Sequence, residues 1–389
     1  MKNQFKLLVL MLITSVLSHS QSHQILKESF SVDKSTSIVL NFANIYVAIE
    51  ESTDDKVHFD FLMEFEGYSK KEIKEKIEEI TTEVSSFDNH ITLNVNSKNQ
   101  ITFELYKYNV ESGIILNNDE FFNKKKDTII RKSKDSLLAE IRLNNAGDRT
   151  NNPLKYINNR LKKIDKDGNL SKFESKNIDI MRSIFVIKIP PYLKLNINGK
   201  NSGIHFRNDL QNEISIKLKS GTLKAKALYN SFNNIRIDDV NFEADAILGG
   251  EYKFKNVKNG KIGSVQNTKI TSEFSKVEIG EIRKNTTISD FNSEYYFYNW
   301  AKDFKRFNLY SEYSKIHFFY PDLDFSFKAI GNNTKNFVGN YKIEMQPTSK
   351  GEKYSMMERK PSGKGNFSGE IYFDIIHGII YTYNDSIKK

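Results

Sequence analysis

The segment Tyr295-Tyr-Phe-Tyr-Asn-Trp300 places five aromatic side chains in six positions. In a strand, alternation turns some of these rings outward, where a flat aromatic face can stack on a sugar or on another protein. Tyr296, Phe297, Tyr298 and Trp300 therefore form the candidate ligand-binding surface, with simple edge packing as the plainer alternative. Tyr252, Phe274, Tyr295 and Tyr313 instead predict a ladder of rings inside the fold, each pair adding about 0.5–1.5 kcal/mol beyond area burial. Carboxylates offer a second chemistry. Glu251, Glu273, Glu294 and Glu312 recur at the corners of one repeated phrase, and a column of them would gather a cation. Like charges stacked on adjacent strands repel, so these side chains are expected to splay into solvent or to pair with Lys276 and Lys315.

Other constellations carry less. In Lys163-Ile-Asp-Lys-Asp-Gly-Asn-Leu-Ser-Lys-Phe-Glu174, the residues Asp165, Asp167, Gly168, Leu170 and Glu174 fit positions of a calcium loop, but Lys163 takes the place of its first acidic ligand. A cation there opposes calcium, and an Asp-Gly turn is expected instead. The histidines are scattered, with His205 and His317 in Ile-His-Phe strands that turn them outward. There is no nucleophile elbow, zinc-protease pair or phosphate-cradling glycine loop. A glycosidase or lyase would need acidic residues converging on one face, which spacing alone does not show. No catalytic residue, cofactor or metal is assigned.

The elements that must position these residues are strands. A Ser-Glu-aromatic phrase followed by alternating apolar residues occurs at Ser272-Glu-Phe274, Ser293-Glu-Tyr295 and Ser311-Glu-Tyr313. A short repeat of alternating strands marks a stack of coils, each burying its inner face against its neighbours. Gly250 and Asn230-Ser231-Phe232 extend the column upstream, while the register between Gly221 and Gly250 stays open. Apolar parity flips across Ser220-Gly221, from Ile214, Ile216 and Leu218 to Leu223, Ala225 and Ala227, which implies a corner. All prolines lie outside Tyr192 to Tyr320, as an unbroken ladder requires.

Upstream, Ile38 to Phe61 alternates as half-buried strands. Ile73, Ile77, Ile80 and Val84 recur at helical spacing from Ser69 to Val84 and predict one amphipathic helix. From 97 to 177 the pattern dissolves into Asn, Lys and Asp, which predicts a poorly ordered or locally helical insertion. Alternation returns in the final segment, Gly365 to Tyr383, expected to cap or complete the stack.

Residues 1–20 carry Lys2 and Lys6, an apolar run from Leu7 to Leu17, and Ser18-His19-Ser20, the pattern of an export signal cleaved before Gln21. The run is too short to remain as a transmembrane anchor. The chain has no cysteine, so disulfides and thiolate metal sites are excluded. Its net charge is +9, and part of the excess lies in the Lys-rich segment 123–135, read as a solvated charged loop. An exported basic protein would meet envelope polysaccharide or lipid, or other surface proteins, rather than nucleic acid.

The stretch from Val186-Ile-Lys-Ile-Pro-Pro through Asn201-Ser-Gly-Ile204-His-Phe206 resembles the signature of the bacterial putative adhesin family of exported β-solenoids. The opening module around Asn41-Phe-Ala-Asn-Ile-Tyr-Val47 is similar as well, and the Lys-rich insertion departs from the family's simplest form. The resemblance implies an all-β, right-handed single-stranded parallel β-helix in the bacterial envelope, with adhesion as its inferred role and no catalytic residues to carry over. The expectation is one β-solenoid domain over 21–389, exported to the periplasm or cell surface and non-enzymatic. The alternatives are a periplasmic envelope-stress scaffold or sensor component and a polysaccharide-active β-helix enzyme.

Overall fold

The computed structural model describes residues 21–110, 114–117, 128–132, 137–143, 152–165, 167–174, 178–321, 325–338, 341–345, 355–359 and 369–383. The expected export signal at 1–20 lies outside the described residues, as do the side chains of the Lys-rich segment 123–135. The fold is all-β, with two helices among the described residues. None of the described helices is long and apolar enough to cross a membrane.

From Lys194 onward, successive stretches of chain lie side by side in parallel. Ile197 pairs with Ile216, Ile216 with Ile235, Ile235 with Tyr252, Tyr252 with Ile270, Ile270 with Ile288, and Ile288 with Leu309. The column extends through Leu40 to Leu93 at one end and through Phe373 to Ala329 at the other. Every side chain in it is buried. Each in-register apolar residue thus covers the one on the next rung, so alternation within a strand becomes a continuous core across strands.

The rungs bend at residues in the left-handed region: Asn201, Ser220, Asp239, Asn256, Phe274, Asn292 and Tyr313 all have φ between +49° and +58°, and Asn267 and Lys284 add further left-handed positions in two rungs. After the bend the chain continues into a second parallel ladder, in which Leu223 pairs with Phe242 and Val277 with Tyr295. The inner side chains of both ladders join one core. Gly221 follows a corner residue at φ +126°, and a Cβ there would lie 2.0 Å from the Ser202 carbonyl oxygen, so only glycine fits. The expected bend at Ser220-Gly221 is present. The open register between Gly221 and Gly250 is filled by the rung Asn234–Ile247, whose corner is Asp239.

The corner column differs from the one that the repeated phrase suggests. Ser272 and Ser311 share a column through Asp290, but Ser293 belongs three residues along, with Ser275 and Ser314. The Ser293 hydroxyl accepts from the Ser275 backbone N–H at 3.0 Å, and the Ser314 hydroxyl accepts from that of Ser293 at 3.0 Å. What repeats is a left-handed residue followed by a small one, whereas the Ser-Glu-aromatic triplet recurs in two different phases. The expected ladder of Tyr252, Phe274, Tyr295 and Tyr313 is therefore split: Tyr252 and Tyr295 are buried, while Phe274 and Tyr313 are corner residues exposed at 49% and 53%.

Where the column of Leu218, Ile237 and Phe254 continues into Ser272, Asp290 and Ser311, the core turns polar. Asp290 is buried, and its carboxylate accepts from the hydroxyls of Ser272 at 2.7 Å, Ser311 at 3.1 Å and Ser314 at 2.5 Å. The Tyr295 hydroxyl completes the cluster, 2.6 Å from that of Ser272. A buried charge is tolerable only with such saturation.

Both ends of the stack are closed by antiparallel strands. Ile80–Phe87 pairs with His90–Ser97 through a tight turn at Asp88-Asn89, both at positive φ. Ser355–Arg359 and Tyr341–Met345 pair with the far rung, 325–338. Gly369–Ile376 and Ile379–Tyr383 do not cap the stack but run between the rung 306–319 and the rung 325–338.

Two further expectations are corrected. The helix covers only Lys70–Glu78, and Ile80 and Val84 belong to a strand, because the β-branched Ile80-Thr-Thr-Glu-Val84 finds a hairpin partner that local periodicity does not reveal. The described part of 97–177 includes a locally helical stretch, Pro153–Arg160, as expected, but is mostly strand. Glu104–Val110 and Leu137–Leu143 extend an antiparallel sheet from Ile178–Ile189, and Tyr106, Tyr108, Ile141, Ile157 and Phe173 form a second small core.

Candidate binding face

Alternation places Tyr296 and Tyr298 outward and Tyr295 and Phe297 inward, and it breaks at the exposed Asn299, so that Trp300 also faces inward. Phe297 is fully buried, and Trp300 lies among Phe304, Phe307 and Phe318 with its indole N–H donating to the Phe319 carbonyl at 2.8 Å. Phe297 and Trp300 are thus buried rather than exposed, Phe297 because its parity is opposite to that of Tyr296 and Tyr298, and Trp300 because alternation breaks at Asn299. Half of the candidate surface remains.

Parallel register supplies the rest. Tyr296 pairs with His317, His317 with Tyr381 and Tyr381 with Phe337. The rings of Tyr296 and His317 stack at 4.0 Å and 1°, those of His317 and Tyr381 at 4.9 Å, and those of Tyr381 and Phe337 at 5.4 Å. Beside this column, Tyr298, Phe319 and Tyr383 form a second, with centroids 5.5 Å and 4.5 Å apart. Lys276 Nζ lies 5.0 Å from the centre of the Tyr296 ring. Around the corner, Phe274, Phe291 and Tyr313 make an exposed edge-to-face series that ends on His377.

Charges hold the column in place. Glu294 accepts from the Tyr296 hydroxyl at 3.1 Å and from His317 Nε2 at 3.3 Å, so Nδ1 of His317 accepts from the Tyr383 hydroxyl at 3.0 Å. Burial opposes ionisation of Glu294, but the hydrogen bonds from His317 and Tyr296 and the charge of Lys276 outweigh it and hold the carboxyl below its usual range. Burial, reinforced by the neighbouring lysines, lowers the His317 imidazole. Burial and the adjacent Glu294 and Glu278 push the Tyr296 and Tyr298 phenols up to about 12. Tyr296, Tyr298 and His317 are therefore uncharged near neutrality, and because the rings of the Tyr296 column cover one another's faces, they turn their polar edges outward.

Next to Tyr298 a shallow groove of about 450 Å³ opens over Gly263 and Gly280, with Asp245, Glu278 and Asn299 on its margins. A Cβ at Gly263 would lie 2.3 Å from the Asp245 carbonyl oxygen, so the floor stays bare. An aromatic wall, carboxylates, an amide and a glycine floor together form a surface that can take a sugar ring and its hydroxyls.

The other candidates separate. Glu251, Glu273, Glu294 and Glu312 do not form one column: Glu251 pairs with Lys269, Glu273 with Lys255 and Glu294 with Lys276. Asp165 Oδ1 accepts from the backbone N–H of Asp167 and Asn169, which is the Asp-Gly turn that the sequence favoured over a calcium loop. Among the described residues no cluster of His, Asp and Glu could hold a metal ion. Phe319, Phe337, Tyr381 and Tyr383 are members that sequence reasoning missed, and His317, read there only as turned outward, is another. Their signal was the offset of 21 residues between Tyr296 and His317, legible only once the rungs are in register.

No family model matches the chain, and no curated protein matches it. A solved structure of a putative cell adhesion protein from Clostridium sporogenes is similar at 9% identity, covering 94% of this chain and 100% of that one, with a TM-score of 0.17. A likeness of that size carries no argument about fold or function.

Proposed function

We propose that this chain is an exported, non-enzymatic protein of the cell envelope, a right-handed β-solenoid of the adhesin type whose outer aromatic face binds glycan. The stacked outward rings of Tyr296, His317, Tyr381 and Phe337, with Tyr298 beside the groove, support this most directly. Face-to-face stacking turns the ring edges outward with their hydroxyl and imidazole groups, an ordered row of hydrogen-bonding partners for sugar hydroxyls. Asp245 and Glu278 on the groove that Tyr298 lines favour a second reading, a polysaccharide-active enzyme.

A glycan array probed with the purified chain tests both. Retention of neutral glycans without products, lost at least tenfold in Tyr296→Ala/Tyr298→Ala, is the expected result, since each lost hydrogen bond is worth about 0.5–1.5 kcal/mol. Release of shortened products would replace adhesion with the enzyme, and silence on both counts would point to an envelope scaffold.

A further inference from the structure

We propose that a second groove, on the other ladder, binds a linear acidic polysaccharide of the polyuronate class, one carboxylate to a rung. This groove has a volume of about 800 Å³ and crosses the stack from His90–Ser97 to Gly260–Glu273. One wall is a single in-register column running from the amides Asn94, Asn41 and Asn198 into the cations Lys217, Arg236 and Lys253. The lining carries six basic side chains and two carboxylates, an excess of four positive charges.

Both carboxylates already have partners. Glu273 pairs with Lys255 at 3.4 Å, and Asp238 accepts from the Asn256 amide at 2.8 Å. Among the described residues, no carboxylate lies within ion-pair reach of Lys217, Lys219 or Lys253, and the Arg236 Nε–H donates to the neutral Asn234 side chain at 3.2 Å. Elsewhere on the stack lysines meet acids on the adjacent rung, as in Lys224–Glu243, Lys269–Glu251 and Lys276–Glu294. Lys217, Arg236 and Lys253 stand instead as like charges on neighbouring strands about 4.8 Å apart, an arrangement that opposes folding unless an anion lies across it.

The spacing matches the ligand class. One charge per rung is close to one charge per sugar residue of an extended polyuronate, and the groove runs across the strands, as a linear chain lying on the rungs would. The amide ladder, with Asn41 donating to Asn94 at 2.7 Å and Asn198 to Asn41 at 2.9 Å, continues the same line and offers partners for hydroxyls. The aromatic residues of the lining, Phe42 and Phe254, belong to the core, so no ring projects into the groove for a base to stack on. This separates an acidic glycan from single-stranded nucleic acid. The groove shares no residue with the aromatic face, and either site can fail alone.

Calorimetric titration of the purified chain with a galacturonate decasaccharide tests the assignment. Binding is expected to weaken as salt is added. Lys217→Gln/Arg236→Gln/Lys253→Gln should lose at least about tenfold in affinity, as expected when charges aligned with a polyanion are removed. Tyr296→Ala/Tyr298→Ala should leave the affinity unchanged, as should Lys224→Gln/Lys269→Gln, which removes paired lysines outside the groove. The triple variant should melt no lower than the parent at low ionic strength, which separates lost binding from lost folding. A parent that ignores the decasaccharide, a triple variant that binds it undiminished, or tighter binding of an oligothymidylate of equal charge would each overturn the proposal.

Discussion

At the scale of single residues, polar atoms decide what alternation alone would leave apolar. Asp290 faces inward because three serine hydroxyls and, through Ser272, the Tyr295 phenol satisfy it. Asp290→Ala strands these donors in the core and should lower stability by about 1–3 kcal/mol, read from denaturant midpoints; an unchanged midpoint would show that water replaces the carboxylate. His317 carries a pH prediction. Burial, with Lys276 and Lys315 nearby, lowers its pKa from 6.5, and Glu294 offsets this only in part. The unfolded chain therefore takes up a proton that the folded one refuses, so the stabilising contribution is complete above 6.5 and is lost as pH falls through the folded value. The imidazole should titrate below 6.5 by NMR, and His317→Phe should flatten the melting profile across that window.

At the scale of elements, helix and strand are decided by what each end can reach. Ser69 caps the helix Lys70–Glu78, and Glu72 reaches back to its backbone N–H at 3.0 Å while Lys107 ties Glu72 to the neighbouring sheet at 3.1 Å. Those hydrogen bonds lower the Glu72 carboxyl to about 2. The stability they add is present above the ordinary value of 4.5 and is lost as pH falls toward 2. Ser69→Ala should cost about 1 kcal/mol and return Glu72 toward its ordinary titration, measurable by carboxyl NMR. The sequence placed the start of the helix at Ser69, yet the helical spacing of Ile80 and Val84 was misleading, because their hairpin partners Ser97 and Leu93 lie beyond any helical window.

At the scale of the whole molecule, rungs joined only to their neighbours should be removable in whole units. Ser220 and Asp239 are successive corners, so deleting residues 222–240 joins Gly221 directly to Asn241, keeps the glycine that the Ser202 carbonyl requires and keeps every column in register. The shortened chain should fold with an unchanged strand signature in circular dichroism and some loss of melting temperature. Deleting only half of that segment puts apolar faces on the wrong parity and should prevent folding. Equal behaviour of the two deletions would refute the rung description.

The sequence by itself determined that strands dominate, that apolar residues alternate toward a shared core, that the chain bends at Ser220-Gly221, and that Tyr296 and Tyr298 merit attention. Those properties are local: the pleat has a period of two and the bend needs a residue tolerant of positive φ. Tertiary structure decided which phase of the repeat stacks, that Ser293 joins Ser275 rather than Ser272, and that Gly369–Tyr383 lies between two earlier rungs. It also assembled both candidate sites, the rings of Tyr296, His317 and Tyr381 and the cations Lys217, Arg236 and Lys253. Each set comes from separate rungs, and only the hydrogen-bond register between strands brings its members face to face.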